Sequence, residues 1–517
     1  MSIEVKITTE QGKVVALKEE RNLLQRFTII ARSRPELNLE ECIGEFEFGV
    51  VPRSLFSADG SLLPSRDKHK VSNIITKAIE DQNVYSQTET VQHKVIILDG
   101  MAIVNALPTE LVKKAKTCAD LADLFLNQLV GICHSYNEVR LVFDRYQKES
   151  LKNKTREYRK GGLVSIRYRV TDNTIIKDVK LKELLADVDT KSDLTTYLAN
   201  KVLSSNRFSR VMVTHQTTTI GNFPVPQQLQ SHDHEEADTL IILHSSILSE
   251  EDHLFVYAKD ADIYFQLINR YPILPPNTFF INSTSNISIK NAYSHLGKSV
   301  SEALMDWHAF TGNDIYGKMS GISKEVCFKR LLEVNNEILL ALSTLGESES
   351  LPNDDSIRIL EGFVAILYGA PKVKCLNELR WHFYSRKQAQ GENLPPTSAA
   401  FRQHVYRAHY TAMVWHRNTV HQQNLPAPDD YGWKKEGDIY VLTMNSPAPQ
   451  AVINLVRCNC KKGCEKKCSC KMNNLGCTEI CGCIDYECRN TFNVVSGEKE
   501  PSDEKVDSVT DDFVNDI

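Results

Sequence analysis

Two groups of acidic residues lie in the middle of this 517-residue chain, each at a junction between a polar and an apolar segment. Glu235, Glu236 and Asp238 lie where a run with apolar residues at helical spacing begins. Asp260 and Asp262 follow a five-residue uncharged run typical of a buried strand. Carboxylates at strand ends and helix N-termini meet in the crevice where open α/β sheets bind ligands. Since converging carboxylates repel each other unless a hard cation lies between them, this segment predicts a carboxylate metal site.

A second group of chemically active residues lies towards the C-terminal end, where nine cysteines fall within 31 residues. Their spacing is C-x-C-x3-C-x3-C-x-C-x6-C-x3-C-x-C-x4-C. Three tetrahedral zinc ions need twelve ligand positions, which nine thiolates supply if three of them bridge two ions. The segment is poor in apolar residues, so metal binding must drive its folding, and an odd number of cysteines argues against disulfides. The predicted zinc ligands are Cys458, Cys460, Cys464, Cys468, Cys470, Cys477, Cys481, Cys483 and Cys488.

Composition restricts the class of protein. The hydrophobic content of 42% and charged content of 25% are ordinary for a globular protein, and the net charge of −5 means that any nucleic-acid contact must be local. The first residues have no apolar core typical of a signal peptide, and no apolar run approaches transmembrane length. We therefore expect a protein that is not secreted and has no membrane partner, located in the nucleus or the cytoplasm.

The elements that position the acidic residues follow from five apolar runs, with helical patterns between several of them. Strands that alternate with helices predict βαβ units, and hence an α/β fold with a mainly parallel sheet and flanking helices. Three of the runs end at or just before an aspartate, which places Asp99, Asp144 and Asp260 at one edge of the sheet. Asp314 follows a helical segment in a Thr-Gly-Asn turn that could bring it to the same crevice. The five runs are 95–98, 139–143, 209–215, 254–258 and 278–282.

This arrangement resembles the PIN-like and flap-endonuclease superfamily of metal-dependent nucleases, over about residues 91–335. The resemblance implies one or two Mg²⁺ or Mn²⁺ ions and a nucleic-acid substrate. Here the acidic pair that opens the helix is Glu-x-Asp where the family has Glu-x-Glu, and Glu235 could replace Glu236 as a ligand. The resemblance carries the catalytic role onto Asp99, Asp144, Glu236, Asp238, Asp260, Asp262 and Asp314.

A basic run directly follows Asp144. Residues 145–160 contain seven lysines and arginines against two glutamates. A solvated helix face is the more common meaning of such a run, but the position beside a proposed active-site aspartate favours contact with phosphate. In the nucleases that the chain resembles, a basic helix at this place engages phosphate. The candidate nucleic-acid-binding residues are Lys152, Lys154, Arg156, Arg159 and Lys160.

The cysteine-rich segment resembles the Tesmin/TSO1-like CXC domain, including the asparagine that follows the last cysteine, Asn490. Tandem members of that family bind DNA and carry a tyrosine before the fourth cysteine of each repeat. Lys467 takes that place here, only one repeat is present and the last gap is longer, so sequence-specific DNA reading is not implied. A nuclease-like core with one C-terminal CXC domain resembles a group of multi-copy, transposon-associated animal proteins.

The sequence predicts five regions. Residues 1–90 form an N-terminal α+β segment without evident chemistry, 91–345 the nuclease-like domain and 346–450 a helical region with a connector. Residues 451–492 form the zinc module and 493–517 an acidic, disordered tail. Histidines 404, 409 and 416 are expected to pack between helices. Two functions remain open, a metal-dependent nuclease and a non-catalytic chromatin or nucleic-acid-binding zinc protein on a degenerate PIN-like scaffold.

Overall fold

The computed structural model divides into two compact units, one formed by residues 38–447 and one by residues 1–37 together with 448–517. Within these units the structure describes part of the chain. The described residues are 4–8, 14–18, 38–47, 52–57, 62–63, 65, 68–82, 93–147, 149–152, 156, 163–282, 285–313, 317–386, 394–437, 439–443, 458–461, 464, 467–472, 477, 481–483, 488 and 490.

A seven-stranded sheet forms the centre of the larger unit. Its strand order is β6-β5-β4-β3-β7-β8-β9; the five inner strands are mutually parallel and the two edge strands are antiparallel to their neighbours. The predicted α/β fold with a mainly parallel sheet is thereby confirmed. The strands of the sheet are β3 (Lys94–Asp99), β4 (Glu138–Val142), β5 (Val211–His215), β6 (Thr218–Gly221), β7 (His253–Tyr257), β8 (Asn277–Ile281) and β9 (Asn286–Ser288).

Two antiparallel hairpins lie outside this sheet. In the smaller unit β1 (Glu4–Thr8) pairs with β2 (Val14–Lys18), and in the larger unit β10 (Trp433–Glu436) pairs with β11 (Ile439–Leu442). The short edge strands β6 and β9 were absent from the sequence-based expectation, because three or four residues with mixed polarity give only a weak periodic signal.

Helices cover both faces of the sheet, which explains why the central strand β3 is apolar from Val95 to Leu98. In β3, Val95 and Ile97 face one core and Ile96 and Leu98 the other, and all four are fully buried. The helices are α1 (Leu39–Glu45), α2 (Lys68–Ala78), α3 (Gly100–Asn105), α4 (Thr109–Val112), α5 (Cys118–Cys133), α6 (Leu181–Leu184), α7 (Val188–Ser204), α8 (Gln227–Gln230), α9 (Ala237–Ser246), α10 (Ala261–Arg270), α11 (Ile289–Leu296), α12 (Lys298–Phe310), α13 (Lys324–Leu331), α14 (Asn336–Ser343), α15 (Asp354–Leu367), α16 (Leu376–Ser385), α17 (Ser398–His416) and α18 (Ser469–Met472).

The helices after the sheet share a core with one of its faces. Phe310 in α12 packs its ring against Phe363 of α15 and Phe401 of α17, and all three residues belong to the cluster that contains Val95 and Ile97 of β3. This continuous core explains why residues 38–447 form a single compact unit. Among the described residues, no helix combines the length and apolar character needed to cross a bilayer.

Candidate functional site

The parallel register brings three aspartates to one edge of the sheet. Asp99 is the last residue of β3 and pairs with Val142, two residues before Asp144. Leu98 pairs with Tyr257, the last residue of β7, and Asp260 follows three residues later. Because adjacent parallel strands lie about 4.8 Å apart, the carboxylates that follow β3, β4 and β7 are neighbours.

Helix N-termini hold these carboxylates. Asp99 caps α3, and its Oδ1 accepts a hydrogen bond of 2.8 Å from the backbone N of Met101. Asp260 caps α10 and accepts a bond of 3.0 Å from the backbone N of Asp262. Asp144 accepts a bond of 2.9 Å from the backbone N of Ala237, the first residue of α9. Backbone N–H groups and the helix dipole therefore fix the carboxylates and favour their charge.

Glycine is required where β3 turns into α3. A Cβ on Gly100 would lie 2.2 Å from Cε1 of Phe143, the residue that precedes Asp144. The absence of a side chain at position 100 lets the start of α3 pack closely against the Phe143 ring.

Three carboxylates meet closely enough to share an ion. One oxygen from each of Asp238, Asp260 and Asp262 lies within 4.8 Å of the others. Asp238 comes from the first turn of α9 and the other two from the start of α10, so two helix N-termini converge on one point. Carboxylate oxygens are the ligands that Mg²⁺ and Mn²⁺ prefer, and the donor set therefore fits such an ion.

Burial and the mutual repulsion of the acids raise the pKa values of three of them. Burial, then the charge of Asp144, raises the pKa of Asp99 to about 7, and Asp260 adds to this shift. Burial, then the charge of Asp260, raises the pKa of Asp238 well above its usual range. Burial also raises the pKa of Glu236, which Lys152 partly offsets. A cation at the centre would relieve this repulsion.

Two residues that sequence analysis did not single out contact the acidic group. Nζ of Lys68 lies 2.8 Å from Oδ1 of Asp260 and 3.0 Å from Oδ1 of Asp262. Nε2 of His308 in α12 lies 2.8 Å from the same Asp262 oxygen. Although burial raises the pKa of Asp262, Lys68 and His308 hold it well below its usual range.

His308 is fully buried, and its lowered pKa fixes its charge at neutral pH. Burial, followed by the charge of Lys324, lowers the pKa of His308 to about 4. The imidazole is therefore neutral at pH 7, and it can donate a hydrogen bond from Nε2 to Asp262. The amino group of Lys324 donates to the carbonyl oxygens of His308 and Gly312 and fixes the end of α12. No local sequence signal marks either Lys68 or His308, because their partners lie 194 and 46 residues away.

The basic run faces the acidic group where the structure describes it. Nζ of Lys152 lies 2.7 Å from Oε2 of Glu236, and Nη2 of Arg156 lies 2.9 Å from Oε1 of Glu235. Glu235 precedes α9 and its N-cap Glu236, so it lies outside the helix that carries Asp238. The charge of Glu236 contributes to the raised pKa of Asp238, one of the three acids that converge. Asp314, Lys154, Arg159 and Lys160 lie outside the described residues.

The cysteine module forms a compact cluster of sulfur atoms. Sγ of Cys458 lies 3.6 Å from Cys464, 3.6 Å from Cys483 and 3.8 Å from Cys477. Asn490 donates from Nδ2 to Sγ of Cys477 at 3.2 Å. Three overlapping groups of four have sulfur atoms within 4.8 Å of one another and could hold a metal: 458/470/477/481, 458/460/464/468 and 458/464/477/483.

Cys458 belongs to all three sulfur groups, and Cys464 and Cys477 each belong to two. Shared ligands are what a cluster with bridging thiolates requires. Cys488 belongs to none of the three groups but packs against the cluster as a half-buried residue.

The three histidines of α17 have partners within the protein. Nε2 of His404 lies 2.8 Å from the carbonyl oxygen of Phe310, and Nδ1 of His409 accepts a bond of 3.0 Å from the backbone N of Gly346. Nε2 of His416 lies 3.0 Å from Oδ1 of Asp306. The prediction that these histidines pack between helices is confirmed.

Comparison with known proteins gives only a distant structural likeness. No family model matches the chain, and no curated protein matches it. Two solved structures of the bacteriophage T5 D15 protein superpose on 61% of this chain and 99% of their own, at 14% and 11% identity with TM-scores of 0.31 and 0.29. The first was co-crystallised with metal ions, and the second is a flap endonuclease in a pseudo-enzyme-product complex with DNA and metal ions. With likeness this low, the function of this chain must be argued from its own residues.

Proposed function

We propose that this protein is a divalent-metal-dependent nuclease that acts on DNA or RNA. The observation that carries the proposal is the convergence of Asp238, Asp260 and Asp262 within 4.8 Å at the carboxyl edge of a parallel sheet. The charges of Asp99 and Asp144 act on the same site. The order of these acids along the chain is the one that suggested a PIN-like or flap-endonuclease-like core.

One or two Mg²⁺ or Mn²⁺ ions are the cofactors that this donor set fits. When bound, the metal would activate water and stabilise the charge that develops on the attacked phosphate. The residues proposed to hold it are Asp99, Asp144, Glu236, Asp238, Asp260, Asp262 and Asp314.

Nucleic acid is the proposed partner, and the basic run is its proposed contact. Lys152 and Arg156 lie against Glu236 and Glu235 at the rim of the acidic group. We propose that phosphate replaces these carboxylates as the partner of the two long basic side chains when nucleic acid binds. Lys154, Arg159 and Lys160 extend the proposed contact along the same run.

The C-terminal module is proposed to be a CXC domain that binds three zinc ions. The overlap of the three sulfur groups at Cys458, Cys464 and Cys477 supports bridging ligands. With nine cysteines in 31 residues, each zinc would be coordinated by four sulfur atoms. We also propose a nuclear or cytoplasmic location, where thiolates stay reduced and available to zinc.

The experiment that tests the proposed nuclease is cleavage of a panel of single-stranded, flapped and duplex DNA and RNA with Mg²⁺ or Mn²⁺. We expect cleavage of at least one substrate, lost with EDTA. The second candidate is a non-catalytic chromatin or nucleic-acid-binding zinc protein, favoured by the ion pairs that already neutralise Asp260, Asp262 and Glu236. Wild-type protein that binds nucleic acid but cuts none of the panel with either metal would favour this second function.

A further inference from the structure

The N-terminal part of the larger unit brings a positive charge into the acidic group. Lys68 is the first residue of α2, and its side chain is 17% exposed. Its ammonium bridges Asp260 and Asp262, which are two of the three residues that converge for an ion. An amine in this position has the charge sign of a metal ion and contacts the same carboxylates.

Helix α2 is fixed in the core, so the lysine is held at the site by the fold. Val71 and Ile75 are fully buried in the cluster that also contains Ile263 and Leu267 of α10. The helix therefore packs on α10, which carries Asp262 and has Asp260 as its N-cap.

The carboxylate oxygens that Lys68 contacts have other protein donors as well. Oδ1 of Asp262 also faces Nε2 of His308 at 2.8 Å, and Oδ1 of Asp260 also accepts the backbone N of Asp262 at 3.0 Å. Both oxygens are consequently satisfied by the chain itself. A divalent ion that approaches them must compete with a resident cation, and its own charge repels that cation strongly at such short range.

We propose that Lys68 sets the metal affinity of the acidic site by competing with the divalent ion for Asp260 and Asp262. The competition keeps metal affinity low, and metal binding moves the ammonium away from the two carboxylates. This inference rests on the proposed function, because it concerns the same metal site. It adds a residue from outside the nuclease-like region that the sequence delimits at 91–345.

The test is the affinity of the full zinc-loaded chain for Mn²⁺, measured by electron paramagnetic resonance of the free ion in the absence of nucleic acid. The Asp238→Asn variant identifies the binding that belongs to the acidic site. We expect Lys68→Met to tighten this binding at least about tenfold, since a charge repulsion at contact distance is removed. Lys68→Arg, which keeps the charge, should bind Mn²⁺ no more tightly than wild type.

Lys77→Met is the matched control. It removes the same charge from the same helix, about 13 Å along the axis from Lys68, and Lys77 is exposed. Its Mn²⁺ affinity should equal that of the wild type. If Lys68→Met and Lys77→Met change the Mn²⁺ affinity equally, the cause is the net charge of the protein, and the proposal is overturned.

A measurement on wild-type protein covers the case in which Lys68→Met does not fold. Acylation of Lys68 by an amine reagent, followed by mass spectrometry, should increase when Mg²⁺ is added, because the displaced ammonium becomes accessible. Labelling of Lys77 in the same sample should stay constant.

The outcomes separate this inference from the proposed function. Acidic-site binding that is equal or weaker in Lys68→Met, or Lys68 labelling that Mg²⁺ leaves unchanged, overturns the inference while the metal site stands. If neither the wild type nor Lys68→Met shows Mn²⁺ binding that depends on Asp238, both the inference and the proposed function are overturned.

Discussion

The two candidate metal centres of this protein are assembled in opposite ways. The acidic group collects Lys68, Asp99, Asp238 and His308 from four separate stretches of the chain. Helix N-termini and a β-strand end hold the first three, and His308 comes from the last turn of α12. The cysteine module collects all its candidate ligands from residues 458–488, with one described helix of four residues, α18. In the acidic group the fold positions the ligands. In the module, by contrast, metal binding is expected to drive folding.

The physical origin of this difference is the apolar core that would hold each centre in place without its ion. Around the acidic group, buried apolar residues on both faces of the sheet keep the backbone in place. In the module, the buried residues that cluster are the cysteines themselves. The acidic site should therefore tolerate loss of metal or of a ligand, and the module should tolerate neither.

Zinc removal gives the largest expected effect. We expect three zinc ions per chain, and thiols of the module that react with a disulfide reagent only after chelation, at the step where the module unfolds. Residues 38–447 should keep their cooperative thermal transition throughout. Elemental analysis, thiol titration and circular dichroism on the same sample measure these quantities.

The contrary result would be two zinc ions and one rapidly reactive cysteine in the native protein. This stoichiometry would mean two independent four-cysteine sites, and the proposed bridging thiolates would be wrong. Cys488, which lies outside the three close sulfur groups, is the residue to identify by labelling in that case.

Replacement of an acidic ligand should affect activity far more than stability. Asp238→Asn should lower the rate of cleavage by at least about a hundredfold, because metal ligands supply several kcal/mol of charge stabilisation. The same change removes a carboxylate that its acidic neighbours and burial disfavour in the charged form, so the free energy of unfolding should stay equal or rise at pH 7. Urea denaturation and single-turnover cleavage measure the two effects.

A loss of folding in Asp238→Asn would contradict the view that the sheet, and not the ion, holds the site together. Glu250→Gln is a suitable control, since this acid follows α9 and is exposed. It should change neither rate nor stability.

Tight packing at the strand ends beside the acidic group gives a smaller expected effect, on the free energy of unfolding. Gly100→Ala places a methyl group against the Phe143 ring and should cost about 1–3 kcal/mol of unfolding free energy. Gly131→Ala in α5 meets no atom within 4 Å and should be neutral or stabilising by about 0.5–1 kcal/mol. Chemical denaturation compares the two variants. Equal free energies of unfolding would mean that the strand ends adjust to the added methyl group at no cost.

The smallest expected effect concerns salt. If Lys152 and Arg156 exchange carboxylates for phosphates, the double change Lys152→Gln with Arg156→Gln should weaken nucleic-acid binding. It should also reduce the slope of log affinity against log salt by about 1–2. Fluorescence anisotropy in Ca²⁺, at several salt concentrations, measures the slope. An unchanged slope would mean that both residues serve only the ion pairs with Glu236 and Glu235.

Much of the fold could be predicted because its signals are local. Apolar runs of four to seven residues gave the five parallel strands, and each of the runs before Asp99, Asp144 and Asp260 corresponds to a strand. The edge strands β6 and β9 have three or four residues and exposed positions, so no periodicity distinguishes them. Their place depends on the neighbouring strand that offers hydrogen bonds.

The sequence by itself determined the types of ligand and their order, since sulfur spacing and strand-end aspartates are properties of short segments. Only the tertiary structure decided which side chains share a centre. Lys68 reaches Asp260 and Asp262 because α2 packs on α10, and His308 reaches Asp262 because α12 packs beside it. Glu236 is the N-cap of α9, and its charge acts on Asp238 in the first turn of that helix. Such choices depend on packing between residues far apart in the chain, and no local pattern records them.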